Sequence, residues 1–157
     1  MGGLDATLAG DTIGGDRGAS AGRAARVLVV YEPCRTGRAA LREAAELANA
    51  GSELTVVTLA PQARPLRWGK AGGEGPYNIA VREEAEMELR EARDILGSVA
   101  GRAAFTVLTG TPPPLAPWAA AQAFDLVLLP HHRFTPGGSH LARVLRRATV
   151  AEVRLVR

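Results

Sequence analysis

Two kinds of hydrophobic block alternate along most of the chain. Continuous β-branched and leucine-rich runs, typical of strands buried on both faces, occur at Arg26–Tyr31, Glu53–Leu59, Ala103–Thr109, Asp125–Leu129 and Glu152–Val156. Between these runs, apolar residues recur at the three- and four-residue spacing of helices. The resulting βαβαβαβαβ order predicts a three-layer α/β/α fold with parallel strands, right-handed crossovers and helices on both faces of a five-stranded sheet.

The sequence contains a stop signal for the first predicted helix and a start signal for the second. Thr36–Ala50 carries a small apolar face of alanines and leucines, and Gly51 follows it as a stop signal. The second helix, Ile79–Leu96, has Asn78 as its expected N-cap. The preceding stretch, Gln62–Asn78, contains four glycines and two prolines and is therefore predicted to be a loop.

Two shorter helices are predicted in the second half of the chain. One follows Gly110-Thr111-Pro112, where Thr111 is the expected cap, and it should direct Trp118 inward. The other precedes the last strand and has an apolar stripe formed by Leu141, Val144, Leu145 and Ala148.

Composition and charge narrow the class of protein. Residues 1–24 are rich in glycine and lack periodicity, so we expect a flexible tail before a single domain at 25–157. No apolar run is long enough to cross a bilayer, so no membrane partner and a cytoplasmic location are expected. Cys34 is the single cysteine, which excludes an internal disulfide. The net charge is only +3, and the basic residues are not interleaved with aromatic residues that could stack on bases, so nucleic-acid binding is not expected.

Both ends of the predicted domain resemble the universal stress protein family. The segments are VLVVYEPCRTGRAALREAAELANAGSELTVVTL, GTPPPLAPWAAAQAFDLVLLP and GSHLARVLRRATVAEVRLVR. They resemble the family's first strand with an acidic residue at its end, its Gly-x-Pro turn, its Asp-Leu fourth strand and its closing Gly-Ser helix. The resemblance spans Arg26–Arg157. It implies an adenine-nucleotide α-hydrolase-like fold with strand order 3-2-1-4-5 and a crevice between strands one and four, where the winding reverses.

The resemblance also implies the residues of a nucleotide or anion crevice, namely Glu32, Leu59, Gly110, Pro130, Arg133, Gly138 and Ser139. Family members that bind ATP have a glycine-rich loop after strand four, because glycines let backbone amides approach phosphate oxygens. Here Pro130 and Arg133 stand at the two glycine positions and the loop is shorter, so ATP binding in the usual mode is not expected. Arg133 and the helix start at Ser139 could still hold an anion. Ser139 is equally well explained as a helix N-cap.

A metal or thiol site is a separate possibility in the same region. The histidines His131, His132 and His140 fall in the loop and helix after strand four, and the fold would bring Cys34 towards them. Thiolate and imidazole ligands suit zinc or copper, and a helix N-terminus lowers a thiol pKa. Adjacent histidines in an extended segment point in opposite directions, however, which weakens this hypothesis.

Three hypotheses about function follow. The first is a binding or regulatory domain that forms a homodimer through Glu152–Val156 and acts on protein partners that the sequence does not identify. The second is an adenine-nucleotide-binding protein that holds AMP or ATP in a rearranged loop. The third is the metal or thiol site. We predict no catalytic residues, because no nucleophile elbow, Walker loop or paired carboxylates are recognisable, and an enzymatic activity has little support.

Overall fold

The computed structural model describes residues 23–64, 75–131 and 137–157. Arg133, His132 and residues 1–22 of the predicted tail lie outside these ranges. The strands are β1 (Arg26–Val30), β2 (Glu53–Pro61), β3 (Ala103–Gly110), β4 (Leu126–Pro130) and β5 (Glu152–Val156). They form one sheet in the order β3-β2-β1-β4-β5.

All four strand pairings in this sheet are parallel. Val29 of β1, for example, is aligned with Val56 of β2 on one side and Leu128 of β4 on the other. The predicted α/β fold and its strand order are therefore confirmed. Since β1 and β4 are neighbours but lie far apart in the chain, the winding reverses between them.

Four helices connect the described strands, namely α1 (Arg35–Asn49), α2 (Pro76–Leu96), α3 (Leu115–Gln122) and α4 (Gly137–Ala148). A 3₁₀ segment, Gly97–Arg102, joins α2 to β3 and was not predicted from the sequence. None of the helices in the described ranges is long and apolar enough to cross a membrane.

The core has two halves, one on each face of the sheet. On one face α1 and α2 cover β1 and β2 through residues such as Leu41, Ala44 and Leu89. On the other face α3 and α4 contribute Leu115 and Leu145. The buried alanines of α1, such as Ala40, Ala44 and Ala48, let its backbone lie close to the sheet. Trp118 is partly buried against the second half, as predicted, with its ring 5.7 Å from that of Phe124.

The predicted start of α2 is wrong by one helical turn. The helix begins at Pro76 with Gly75 as its N-cap, and Asn78 lies inside the first turn. Pro76 is favourable at this position because its ring presets φ and its missing N–H would have no helical acceptor. The Asn78 side chain instead bonds to the backbone of Ala63, accepting from its N–H at 2.8 Å. Asn78 therefore ties α2 to the end of β2 and does not cap the helix.

The predicted role of Thr111 is also wrong. The third helix begins later, at Leu115, and its N-cap residue, Pro114, makes no side-chain capping bond. The Thr111 hydroxyl donates to the carbonyl oxygen of Gln62 at 2.6 Å. It therefore joins the loops after β2 and β3, which is a tertiary contact that local sequence signals do not reveal.

Candidate functional site

The carboxyl ends of the strands bring only part of the predicted crevice together. Glu32 follows β1 and Pro130 ends β4, the strand next to β1. Leu59 lies near the end of β2 and packs partly against the α3 and α4 side of the core. Gly110 ends β3 at the outer edge of the sheet, with β2 between it and β1. The switch point is therefore flanked by Glu32 and Pro130, with Gly110 further away.

The turn after β1 holds Glu32 against the beginning of α1. The carbonyl oxygen of Glu32 accepts a hydrogen bond from the Cys34 backbone N–H at 2.7 Å. A Cβ added to Gly37, in the first turn of α1, would lie only 2.0 Å from that oxygen. Glycine is therefore required at position 37 for α1 to start this close to the strand end.

Cys34 has a structural role in the same turn. It is the N-cap residue of α1, and its Sγ accepts a hydrogen bond from the Gly37 backbone N–H at 3.3 Å. Sγ also lies 3.3 Å from the Thr36 hydroxyl oxygen. The thiol is partly buried and satisfies one of the free N–H groups at the helix start.

Gly110 has a structural reason to be glycine. A Cβ at this position would lie 2.9 Å from the carbonyl oxygen of Pro112 and 3.2 Å from Pro113, within the turn that leads to α3. Its own carbonyl oxygen accepts from the Gln62 backbone N–H at 2.8 Å. These contacts explain the residue through backbone geometry, and its predicted contact with a ligand stays a prediction.

The segment after β4 is described only in part. His131 continues the sheet, because its backbone N–H donates to the Val156 carbonyl oxygen at 2.9 Å. Helix α4 begins at Gly137, so Gly138 and Ser139 are its second and third residues, and the expectation that Ser139 is the N-cap is wrong. His140 is exposed. Within residues 23–64, 75–131 and 137–157, no group of three metal-ligating side chains is placed to hold an ion.

A polar network missed by the sequence analysis lies where α2 packs near the end of β1. Arg38 of α1 donates to Glu91 of α2 through Nε at 3.1 Å and Nη2 at 2.8 Å. Beside this ion pair the Tyr31 hydroxyl is buried, and no described residue forms a hydrogen bond of good geometry with it. Burial, followed by the nearby Glu91 carboxylate, raises the pKa of Tyr31 to about 12.

Glu88 is the most perturbed carboxyl group of this network. It lies one turn from both Glu84 and Glu91 on α2, and Glu32 reaches it from the end of β1. Burial, followed by repulsion from these three carboxylates, raises its pKa to about 7. Among the described residues, no basic side chain pairs with Glu88. The spacing of the three α2 carboxylates is visible in the sequence, but the approach of Glu32 depends on the tertiary fold.

Together the parallel sheet and the strand order define a doubly wound α/β protein, a class of fold in which ligands commonly bind at the switch point beyond the strand ends. The sequence model of the Universal stress protein family matches residues 24–156. The chain belongs to that family. The resemblance noted from the sequence is thereby confirmed. No curated protein matches the chain.

Several solved structures share the fold at low sequence identity. A protein from the universal stress protein family of Burkholderia pseudomallei is 20% identical with a TM-score of 0.62, covering 84% of this chain and 95% of its own. A universal stress protein from Archaeoglobus fulgidus in complex with dAMP is 19% identical with a TM-score of 0.59, covering 86% and 98%. A universal stress protein in complex with cAMP is 19% identical with a TM-score of 0.58, covering 85% and 97%.

Proposed function

We propose that the chain is a binding and regulatory domain of the universal stress protein family that works as a dimer and does not bind ATP in the usual mode of the family. The observation that carries this proposal is Pro130, which is buried at the end of β4. The family resemblance puts Pro130 at the first glycine of the phosphate-binding loop. Proline has no backbone N–H, so this position cannot donate a hydrogen bond to a phosphate oxygen.

The charge near the end of β1 supports the same proposal. The carboxylates of Glu32, Glu84 and Glu91 each repel that of Glu88, and the guanidinium of Arg38 is already paired with Glu91. The electrostatic field at Glu88 is therefore negative. A triphosphate carries several negative charges and is disfavoured by such a field.

Calorimetric titration with ATP and magnesium tests the proposal for the crevice. We expect no heat of binding at sub-millimolar nucleotide. Saturable ATP binding that the variants Ser139→Ala and Gly138→Val abolish would contradict the proposal, because it would mean that the start of α4 still forms a phosphate site.

A nucleoside monophosphate is a second candidate ligand. Two universal stress proteins with this fold have been solved in complex with cAMP and with dAMP, each of which has one phosphate group. A single phosphate needs fewer backbone donors than a triphosphate does, and so depends less on a glycine at position 130. In parallel titrations we expect AMP or cAMP to bind and ATP to bind more weakly. Equal affinity for AMP and ATP would exclude this candidate.

The proposed dimer uses β5, which is an edge strand of the described sheet. An unpaired strand edge presents backbone donors and acceptors to which another strand can add. Sedimentation equilibrium over a wide range of protein concentration tests this part separately from nucleotide binding. A monomer at every concentration would contradict the dimer while leaving the proposal for the crevice intact.

A further inference from the structure

The hydrogen bonds of β5 show which of its backbone groups face outward. The Glu152 N–H donates to the Asp125 carbonyl oxygen at 3.0 Å, and the Val156 carbonyl oxygen accepts from the His131 N–H at 2.9 Å. In a parallel pair, alternate residues direct both backbone groups to the same neighbour. Glu152, Arg154 and Val156 therefore bond towards β4. Val153 and Leu155 direct their N–H and C=O groups to the open edge.

One of these outward groups is occupied by a side chain of the same chain. Arg146, in the last turn of α4, donates through Nη2 to the Val153 carbonyl oxygen at 3.0 Å. The bond is partly buried, and a charged donor makes it stronger than a neutral hydrogen bond. Covering an edge group in this way is a means by which proteins prevent unwanted strand pairing.

We infer that Arg146 opposes strand pairing at the β5 edge. A second copy of this chain must displace the Arg146 guanidinium from the Val153 carbonyl group before the two β5 strands can pair. This inference rests on the proposed dimer. We call the antiparallel pairing of the two β5 strands, with its two-fold axis at Arg154, the seam. In the seam, the N–H and C=O groups of Val153 in one copy bond to the C=O and N–H groups of Leu155 in the other. While the Val153 carbonyl oxygen accepts from Arg146, it is not free to accept the Leu155 N–H of the second copy with good geometry.

The positive charge of Arg154, at the centre of the proposed strand pairing, does not oppose a second copy, because carboxylates of the same chain already compensate it. Arg154 donates to Glu152 at 2.9 Å and also forms an ion pair with Glu43 of α1. Two Arg154 side chains can therefore face each other across the axis without an uncompensated repulsion.

The test compares Arg146→Gln with Arg147→Gln by sedimentation equilibrium. Both variants remove one positive charge from the last turn of α4, and both residues are exposed. Of the two side chains, the structure shows a bond to the β5 backbone for that of Arg146. We expect Arg146→Gln to lower the dimer dissociation constant by roughly tenfold or more. The reason is that the Arg146–Val153 hydrogen bonds, one in each copy, no longer have to break when the dimer forms. Arg147→Gln should leave the constant within about threefold of that of the unchanged chain.

Amide exchange gives a second readout that does not depend on the dissociation constant. At a concentration where Arg146→Gln dimerises, the Val153 and Leu155 amides should become protected relative to the unchanged chain. A dimer whose dissociation constant is unchanged or raised in Arg146→Gln would overturn the inference and leave the dimer proposal standing. A monomer in all three proteins would overturn both. Equal tightening in the two variants would assign the effect to net charge and would also overturn the inference.

Discussion

Replacing Gly37 with alanine tests the close approach between α1 and the end of β1. The new Cβ would lie 2.0 Å from the Glu32 carbonyl oxygen, and such a contact needs at least 3.0 Å. The oxygen belongs to the backbone, so the turn and the first turn of α1 must move apart. Strain of this kind costs about 1–3 kcal/mol, and alanine recovers up to about 1 kcal/mol through its higher helix propensity. We expect a net loss of about 1–2 kcal/mol from the free energy of unfolding.

Urea unfolding followed by circular dichroism and Trp fluorescence measures this loss. The matched control is Gly101→Ala, because a Cβ there meets no atom within 4 Å and the residue does not have a positive φ. The control should be neutral or stabilising by up to about 1 kcal/mol. If both variants unfold at the same urea concentration as the unchanged chain, the close packing against Glu32 is refuted. A loss in both would point to a general effect of glycine replacement.

Four further changes test other contacts. Glu88→Gln should stabilise the fold by about 1 kcal/mol at pH 8, after allowance for solvent screening, and by nothing near pH 4.5. Folding raises the pKa of Glu88 from 4.5 to about 7, so ionisation of Glu88 destabilises the fold progressively as the pH rises between these values. In urea titrations, the difference in unfolding free energy between Glu88→Gln and the unchanged chain should therefore grow over this range and be constant above it. Thr58→Val removes the bond from a buried hydroxyl to the Ala85 carbonyl oxygen, and urea titration should show a loss of about 1 kcal/mol. Cys34→Ala should lower the thermal midpoint by removing the cap of α1, whereas Cys34→Ser should preserve it; equal midpoints would contradict the capping role.

The architecture was predictable because burial leaves a direct pattern in the sequence. Strand β1 is covered on both faces, so its residues form a continuous apolar run. The helices have one buried face each, so their apolar positions recur at helical spacing. These patterns are local and strong, and they led to the correct element order. The strand order came from the family resemblance, because adjacent buried strands look alike in the sequence.

Helix starts were less predictable because tertiary contacts compete with local capping signals. Asn78 has the chemistry of an N-cap, but its amide group bonds to Ala63 in the loop after β2. Thr111 likewise has a capping hydroxyl, which is used by Gln62. A polar side chain near a predicted helix start identifies a possible donor or acceptor, and only the fold decides which backbone group it meets.

The candidate site was the least predictable part, since its chemistry depends on groups from different elements. Cys34 was considered as a reactive thiol or metal ligand, and the structure gives it a bond to the Gly37 N–H. Tyr31 and Glu88 were not singled out, although one is a buried phenol and the other a half-buried carboxyl. Both are buried by tertiary packing, and each meets a carboxylate from another element: Glu91 of α2 approaches Tyr31, and Glu32, after β1, approaches Glu88.

The crevice and the edge strand are close enough to influence each other. Pro130 of β4 is aligned with Val156 of β5, and the next residue, His131, donates to the Val156 carbonyl oxygen. The backbone that leaves β4 for the candidate anion site is therefore bonded directly to the strand that would form the dimer seam. A ligand that moves His131 strains or breaks this bond and so acts on β5. We therefore expect a ligand that moves His131 to alter the dimer dissociation constant. Sedimentation equilibrium with and without AMP measures the change, and a constant that AMP leaves unaltered although it displaces the His131 amide signal would contradict this coupling.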